Sequence, residues 1–598
     1  MWIAGITRGH NAGVCLLKDG EIVFAIEEER LSRKKYDGGP LASIVKILDY
    51  TDKLDYLVVA HTQPLEEAPA VEFTGDDVYT GLARKLGLID QHYDMSKPHP
   101  QVIDLSHVHH KLHAACAFYR SGFESAASVI VDGAGTFIPM QIGNDIEMTW
   151  ELETIFNCQY PSNFKTLWKH QGAKGPFGGA KFTIESSREG EEGEHELILD
   201  DTAGIVKAYE AVTAYCGFQF IEAGKTMGLS PYGKPNANIP KIFTDTGQEN
   251  WSTTNRDLIV PTYPNGAQVN ENRFKELATP EEVYEKGTDR TLLDSRKDLA
   301  YAVQTESQEQ VLKIILDAVD RTGNRNVVLS GGYGLNCVAN YWYLQELNKH
   351  DINLYVEPIS SDAGTCIGAA LMVHYDVTQD TTPRNYARSL YLGPTYDLQD
   401  SIIENIVGKY GGMIEWVDDK SEIINLIRDK NIVAVYQGQS ENGPRALGNR
   451  SLMFDPTFVD GKDYVNQVKR REYFRPFAGS ILHEHAHEWF DMQGLDETPH
   501  MMYAVDCQPG IAEKIPSIIH VDGTCRIQTV KREDNEHYYD LIKEFYNQTG
   551  VPIIFNTSFN LGGEPLVETL DDAVRTLHYS DIEYLYLPEK GMLITVKN

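Results

Sequence analysis

Three segments of this chain repeat one pattern, an apolar strand running straight into a glycine or aspartate turn. They are ASVIVDGAGT (127–136), NVVLSGGYGLN (326–336) and NLYVEPISSDAGTCIGAALMV (353–373). Strands that end this way and lead into helices present backbone amides at their carboxyl ends, so the pattern commits the chain to the α/β class. Near the N-terminus, VCLLKDGEIVFAIEEE predicts a β-hairpin turning on Asp19-Gly20.

The 598 residues exceed the ~100–200 of a single domain, so two large domains are expected. The polar, proline-bearing stretch DVTQDTTPRNYARSLYLGP (376–394) separates two series of strand and helix patterns. It places the boundary near residue 385 and the domains at 1–385 and 386–598. No solenoid-type repeat is present. The run EGEEGEHELILDD (189–201) reads as a solvated loop or hairpin.

Charge narrows the function. With 54 Lys+Arg against 87 Asp+Glu, the net charge of −33 repels polyanions and anionic membranes over most of the surface. An anionic ligand therefore has to meet a local basic pocket. The eight cysteines form no CxxC pair, there is no signal-peptide pattern, and no run of about 18 apolar residues occurs. A cytoplasmic protein with reduced thiols and no membrane partner is expected.

Two regions carry chemistry. In HVHHKLHAACAF (107–118), His109 and His113 are four apart and share one helix face, while the pairs His107/His110 and His110/His113 do so less squarely. Asp132 and Asp362, each ending an apolar strand, are suitable additional ligands. Two imidazoles and two carboxylates suit iron(II), manganese or zinc without selecting among them. The plainer alternative is a helix whose histidines bond to backbone or water. Glycine loops at 132–136, 222–235 and 330–341 leave room for a nucleotide, although none matches a P-loop or dinucleotide fingerprint. The second region comprises QGQSENGPRALGNRSL (437–452), VKRREYFRPFA (468–478), HVDGTCRIQTV (520–530) and FNTSFNLGGEP (555–565). It gathers Arg, Lys, Asn, Ser and Thr around glycine turns, a set that suits a small phosphorylated compound better than pairing with the abundant acids. His10, in ITRGHNAG, is either a satisfied turn residue or a base facing a substrate.

Taken together, GHNAG, AIEEERLSRKK, HHKLHAACAF, VDGAG, GKTMGLSPYGKP, GGYGLN, SDAGTCIGAAL, ENGPRALGNRSL, VKRREYFRPFA and FNTSFN resemble the O-carbamoyltransferases of antibiotic and nodulation-factor biosynthesis. The resemblance runs in order over nearly the whole chain and is weakest over about 60–105 and 140–200. It implies an N-terminal two-lobed domain like actin and the sugar kinases, and a C-terminal α/β domain similar to the threonylcarbamoyl-adenylate-forming enzyme. It also implies that carbamoyl phosphate and ATP yield carbamoyl adenylate in the C-terminal domain, and that this intermediate passes to the N-terminal domain, where an acceptor hydroxyl attacks it. Matched by motif, His109, His113, Asp132 and Asp362 hold a divalent metal, usually iron(II), with magnesium a second candidate. Gly133, Lys225, Gly331, Gly332 and Asn336 line a nucleotide site. Arg445, Arg450, Lys469, Arg471, Arg475, Arg526, Ser558 and Asn560 form the pocket for carbamoyl phosphate and a second nucleotide, with Arg445 and Lys469 taking part in catalysis. His10 matches the base near the acceptor, and His107 and His110 are left as supporting or surface residues.

The acceptor is either a small natural product or a hydroxymethyl-pyrimidine, free or in DNA. The latter would make nucleic acid a partner, and a viral source would place the protein in host cytoplasm. Oligomerisation is left open. A kinase of the actin-like fold is the alternative; it releases ADP, whereas the carbamoyl route releases pyrophosphate and AMP.

Overall fold

The computed structural model describes residues 1–597 apart from 64–66, 71–76, 94–96, 143, 247–250, 271–288, 385 and 387–388. The expected boundary at residue 385 thus lies outside the described residues. The chain divides into two compact units, one of residues 1–9, 14–21 and 47–387, the other of 10–13, 22–46 and 388–598.

The N-terminal half carries two sheets built to one plan. In the first, β1 (Trp2–Thr7), β2 (Gly13–Lys18), β3 (Glu21–Glu27), β4 (Tyr56–Ala60) and β5 (Val102–Asp104) lie in the order β3-β2-β1-β4-β5. β1, β4 and β5 are parallel. The β2–β3 turn is the expected one, and Asp19 and Gly20 both take positive φ (52° and 83°), the conformation that a two-residue hairpin demands.

The second sheet contains β6 (Ser125–Val131), β7 (Phe137–Ile142), β8 (Asp145–Gln159), β9 (Asn163–Gly172), β10 (Ala180–Ser186) and β11 (Gly193–Asp200). After two small hairpins, β12 (Phe243–Asp245) with β13 (Ser252–Thr254) and β14 (Ile259–Thr262) with β15 (Gly266–Val269), it gains β16 (Asn326–Ser330) and β17 (Asn353–Val356). Its central order, β9-β8-β6-β16-β17, repeats that of the first sheet, and β6, β16 and β17 are again the parallel strands. These three strands are the three strand-then-turn segments read from the sequence. Their shared direction puts Asp132, Gly331 and Asp362 beyond the same carboxyl edge, where α/β sheets bind ligands. The doubled plan agrees with the expected actin/sugar-kinase-like fold.

Four helices of this half matter here: α1 (His109–Ser121), α2 (Asp294–Thr322), α3 (Cys337–Leu347) and α4 (Thr365–Thr378). α4 packs against both β1 and α1, and two glycines let it do so. A Cβ on Gly5 would fall 1.9 Å from the Cys366 carbonyl oxygen, and one on Gly368 would fall 2.0 Å from the Leu112 carbonyl oxygen. No larger residue fits at either position without moving backbone.

The run at 189–201 completes a hairpin with β10, one of the two forms expected, but it is not solvated throughout. Its second part forms β11, and Glu191, His195, Asp200 and Asp201 are buried. Burial is tolerated because the charges are paired: Glu191 meets the fully buried Lys169, and Asp200 lies 3.3 Å from His170.

The C-terminal α/β half is a mixed nine-stranded sheet of β18 (Met413–Trp416), β19 (Val433–Tyr436), β20 (Arg450–Phe454), β21 (Ala478–Leu482), β22 (Ala504–Asp506), β23 (Thr524–Val530), β24 (Ile553–Ser558), β25 (Tyr584–Leu587) and β26 (Met592–Thr595). Their order is β18-β26-β25-β19-β20-β24-β21-β23-β22. Its core joins Val433, Val435, Met453 and Ile554 of the sheet to Tyr538, Leu541, Ile542 and Phe545 of α5 (Glu536–Thr549). Among the described residues, all eight cysteines are free, seven of them buried, and no helix is long and apolar enough to cross a membrane.

Candidate functional site

The structure brings the four expected metal ligands together. Helical spacing sets the Nε2 atoms of His109 and His113 3.2 Å apart. Asp362 Oδ1 lies 3.5 Å from each of them, and Asp132 Oδ2 lies 3.7 and 3.9 Å away. The Gly332 amide donates to Asp132 Oδ1 at 3.0 Å, while Oδ2, which also accepts the Ala134 amide at 3.4 Å, faces the histidines. Ligands about 2.1 Å from one ion lie about 3.0–3.4 Å from each other, so the donor set is slightly wider than an ion would draw it.

Charge favours the same reading. Two carboxylates with two neutral imidazoles carry −2 in a mostly buried site, which one divalent cation cancels. Without a cation a proton does part of this work: burial opposes charge on His109, but Asp132 and Asp362 outweigh it and raise its pKa to about 10. Burial likewise resists ionisation of Asp132, yet His109 and His113 hold it well below the usual carboxylate range. A second His–Asp–Glu group, His483, Asp496 and Glu497, already holds a cation, since Lys531 lies 2.6 Å from Glu497 and 3.5 Å from Asp496.

Of the glycines expected near a nucleotide, Gly133, Gly331 and Gly332 border Asp132. Gly331 has φ +89°, and a Cβ there would fall 2.3 Å from the Val131 carbonyl oxygen. Lys225 is half-buried, 2.8 Å from Glu222 and over the Phe218 ring. Asn336 requires a correction. Its Oδ1 caps α3 by accepting the Ala339 amide at 3.1 Å, and its Nδ2 donates to Gln304 at 3.0 Å. The side chain is turned inward as a helix cap. Lys207, not anticipated from its ordinary helical segment, stands beside Gly133 paired with Glu210 at 2.7 Å.

In the C-terminal unit, Lys469, Arg471, Arg475 and Arg526 converge near the end of β24. Lys469 is buried; its Nζ donates to the Ser558 carbonyl and lies 3.3 Å from Thr557 Oγ1, Ser558 Oγ and Asn560 Oδ1. Arg471 reaches Thr557 Oγ1 at 3.5 Å and lies over Phe477. Burial, followed by Arg471 and Arg475, pushes Lys469 well below the usual lysine range. Burial, then Arg475 and Arg526, lowers Arg471. Glu472, 3.4 Å from Arg475, is the nearby acid. Cations that repel one another in a low dielectric call for an anion.

Arg450 departs from expectation. It is fully buried, donates to the carbonyls of Glu568, Gln437, Asn449 and Gly438, and stacks 3.7 Å from the centre of the Tyr436 ring. It braces the loop from inside. Arg445 is half-buried on that loop, which folds around a residue the sequence did not single out. Glu441 Oε1 accepts the amides of Leu447 and Asn449 at 2.7 and 2.8 Å and that of Arg450 at 3.3 Å. Thr557 lies in the FNTSFN segment read from the sequence but is not among the site residues expected there, which are its neighbours Ser558 and Asn560.

His10 is exposed in the turn between β1 and β2. His107 is half-buried. His110 is fully buried, its Nδ1 2.8 Å from Thr154 Oγ1, and burial lowers its pKa to about 4.

Family comparisons follow the same division of the chain. The carbamoyltransferase N-terminus model matches residues 95–371, and the carbamoyltransferase C-terminus model matches residues 424–593. Nodulation protein NolNO of Sinorhizobium fredii is 30% identical over 96% of this chain and 78% of its own length. Nodulation protein NolO of Bradyrhizobium diazoefficiens is 30% identical over 80% of this chain and 77% of its own. Among solved structures, full-length HypF in its phosphate- and nucleotide-bound form aligns with 64% of this chain and 56% of that chain, at 13% identity and a TM-score of 0.35. With both halves matched in order and relatives aligned along most of its length, the chain belongs to the carbamoyltransferase family and is an enzyme that transfers carbamoyl groups.

Proposed function

We propose that the protein is an ATP-dependent O-carbamoyltransferase that forms carbamoyl adenylate from carbamoyl phosphate and ATP and passes the carbamoyl group to an acceptor hydroxyl. The observation that carries this reading is the convergence of Lys469, Arg471, Arg475 and Arg526 at Thr557 and Ser558 in a chain of net charge −33. A buried cation cluster in so acidic a protein suits a small, highly charged substrate.

In the C-terminal domain, 386–598, these side chains neutralise the phosphate of carbamoyl phosphate, while Arg445, Ser558 and Asn560 complete the pocket. Water releases phosphate and carbamate. A carbamate oxygen then attacks the α-phosphorus of ATP, and pyrophosphate leaves. Lys469 and Arg445 stabilise the charge that develops on the phosphoryl oxygens.

In the N-terminal domain, 1–385, the amides around Gly133, Gly331 and Gly332 face the adenylate, with Lys225 as a further cation. His109, His113, Asp132 and Asp362 would hold a divalent metal, iron(II) by the family resemblance, which supplies a Lewis acid for the adenylate's oxygens. His10 takes the acceptor's proton as its oxygen attacks the carbonyl carbon, the carbon–oxygen bond to phosphate breaks, and AMP leaves.

The test supplies carbamoyl phosphate, ATP and iron(II) with a panel of alcohols, including hydroxymethyl-pyrimidine DNA. Pyrophosphate, AMP and a product one carbamoyl group heavier are expected. ADP with a phosphorylated alcohol would replace this reading with the kinase one.

A further inference from the structure

The two metal-candidate histidines lack the support usual for such ligands. An imidazole that binds metal through one nitrogen normally donates from the other to a carboxylate or carbonyl, which fixes the ring. Here Nδ1 of His109 and Nδ1 of His113 are buried and have no hydrogen-bond partner. Placement of the rings therefore falls to placement of the helix that carries them.

The residue before α1, Val108, supplies no side-chain cap to its first turn. The cap comes from a distant loop instead. The His109 amide donates to Thr136 Oγ1 at 3.0 Å, and Thr136 Oγ1 donates to the Ser106 carbonyl at 2.9 Å. One hydroxyl thus links the strand-end loop that starts at Asp132 to the first turn of the helix that starts at His109.

Thr136 is itself tightly held. Its amide donates to Glu151 Oε2 at 2.8 Å, and the Glu151 amide donates to the Thr136 carbonyl at 3.2 Å. Glu151 Oε1 lies 2.6 Å from the Lys169 ammonium, which also meets Glu191, and Arg188 lies 3.2 Å from Glu191. Thr136, Glu151, Lys169 and Glu191 are all buried. A Cβ on Gly135 would fall 2.5 Å from Glu151 Oε2 and 2.6 Å from His110 Nε2, so the loop passes between these groups with no room for a side chain. A buried ion-paired network is costly to assemble, and this one converges on a single threonine.

The geometry points to Thr136 as a positioning residue for the metal centre, braced by Glu151 and Lys169, which sets the distance between Asp132 and the His109–His113 pair. The inference rests on the metal reading of those ligands. It also gives the Glu191-bearing strap, where the chain departs most from its family resemblance, a task at the site.

The full-length protein, freed of metal, is titrated with cobalt(II), and its visible absorption is recorded. Thr136→Val and Thr136→Ala remove the oxygen, whereas Thr136→Ser keeps it. Each oxygen-less variant should bind cobalt(II) about tenfold or more weakly and show an altered ligand-field band, while the serine variant stays within about threefold of wild type. Melting of the metal-free proteins is measured alongside. Wild-type affinity and spectrum in a folded valine or alanine variant would overturn the inference, as would failure of both to fold, which would make the hydroxyl purely structural. His109→Ala separates the two readings. If it leaves cobalt(II) binding unchanged, the metal reading itself falls, and the role of Thr136 falls with it.

Discussion

Gly368→Ala is a one-carbon change in a helix that ought to disable the metal site. At most helical positions alanine stabilises relative to glycine by up to about 1 kcal/mol. Here the new Cβ would sit 2.0 Å from the Leu112 carbonyl oxygen and 2.9 Å from the Cys116 amide nitrogen, both backbone atoms of α1. Ordinary contact begins near 3.4 Å, so α1 and α4 must separate by about 1.4 Å. His113 follows Leu112 directly, and Asp362 lies just ahead of α4. Transmitted in full, the shift lengthens the 3.5 Å gap between His113 Nε2 and Asp362 Oδ1 to about 4.9 Å. Two donors about 2.1 Å from one ion can lie no more than about 4.2 Å apart, so one ligand is lost. Overpacking adds about 1–3 kcal/mol of destabilisation. Cobalt(II) titration and melting with and without chelator should therefore show a weakened fold and a metal affinity lower by at least about 10- to 100-fold. Gly408→Ala is the control, because a Cβ there meets nothing within 4 Å and should leave metal affinity unchanged. Wild-type affinity in Gly368→Ala would refute the claim that the contact between the two helices sets the ligand spacing.

Three further outcomes follow from the sites. Arg450→Lys should cost about 1.5–3 kcal/mol in urea melts by losing charged hydrogen bonds and ring stacking, while leaving the KM for carbamoyl phosphate near wild type; a KM rise without a stability loss would return Arg450 to the substrate pocket. Burial and neighbouring cations keep the folded pKa of Lys469 below its unfolded value, so the native state resists the proton and its penalty grows as pH falls from the ordinary lysine range toward the folded pKa. Sulfate, which relieves that penalty, should raise the melting temperature more at pH 6.5 than at pH 9, and Lys469→Met should flatten the difference; equal gains in the wild type would contradict the pocket's electrostatics. His10→Asn should abolish transfer to an alcohol while leaving ATP–pyrophosphate exchange intact, and equal loss of both would remove His10 as the base.

What could be read from the chain, and what could not, divides along a physical line. Local rules suffice where one segment determines its own geometry. A spacing of four puts His109 and His113 on one face, Asp-Gly turns a hairpin, and three similar strand-ends become three adjacent parallel strands with Asp132, Gly331 and Asp362 at one edge. The doubled sheet plan is legible in the chain only through its family resemblance, because topology can repeat while sequence does not. Side-chain destinations were the harder problem. Arg450 and Arg471 look alike in arginine-rich motifs, but Arg450 begins β20 under Tyr436 and is enclosed by carbonyls, whereas Arg471 lies among other cations at the end of β24. Glu191 looked like one charge among many in an acidic run until β9 supplied Lys169 beneath it. Asn336 shared a glycine motif with true loop residues, yet the first turn of α3 had an amide for it to cap. In each case the deciding partner comes from a segment far away in sequence or from backbone that exists only once the fold has formed. A motif therefore identifies which chemistry a segment can offer, and the packing decides which of its residues deliver it.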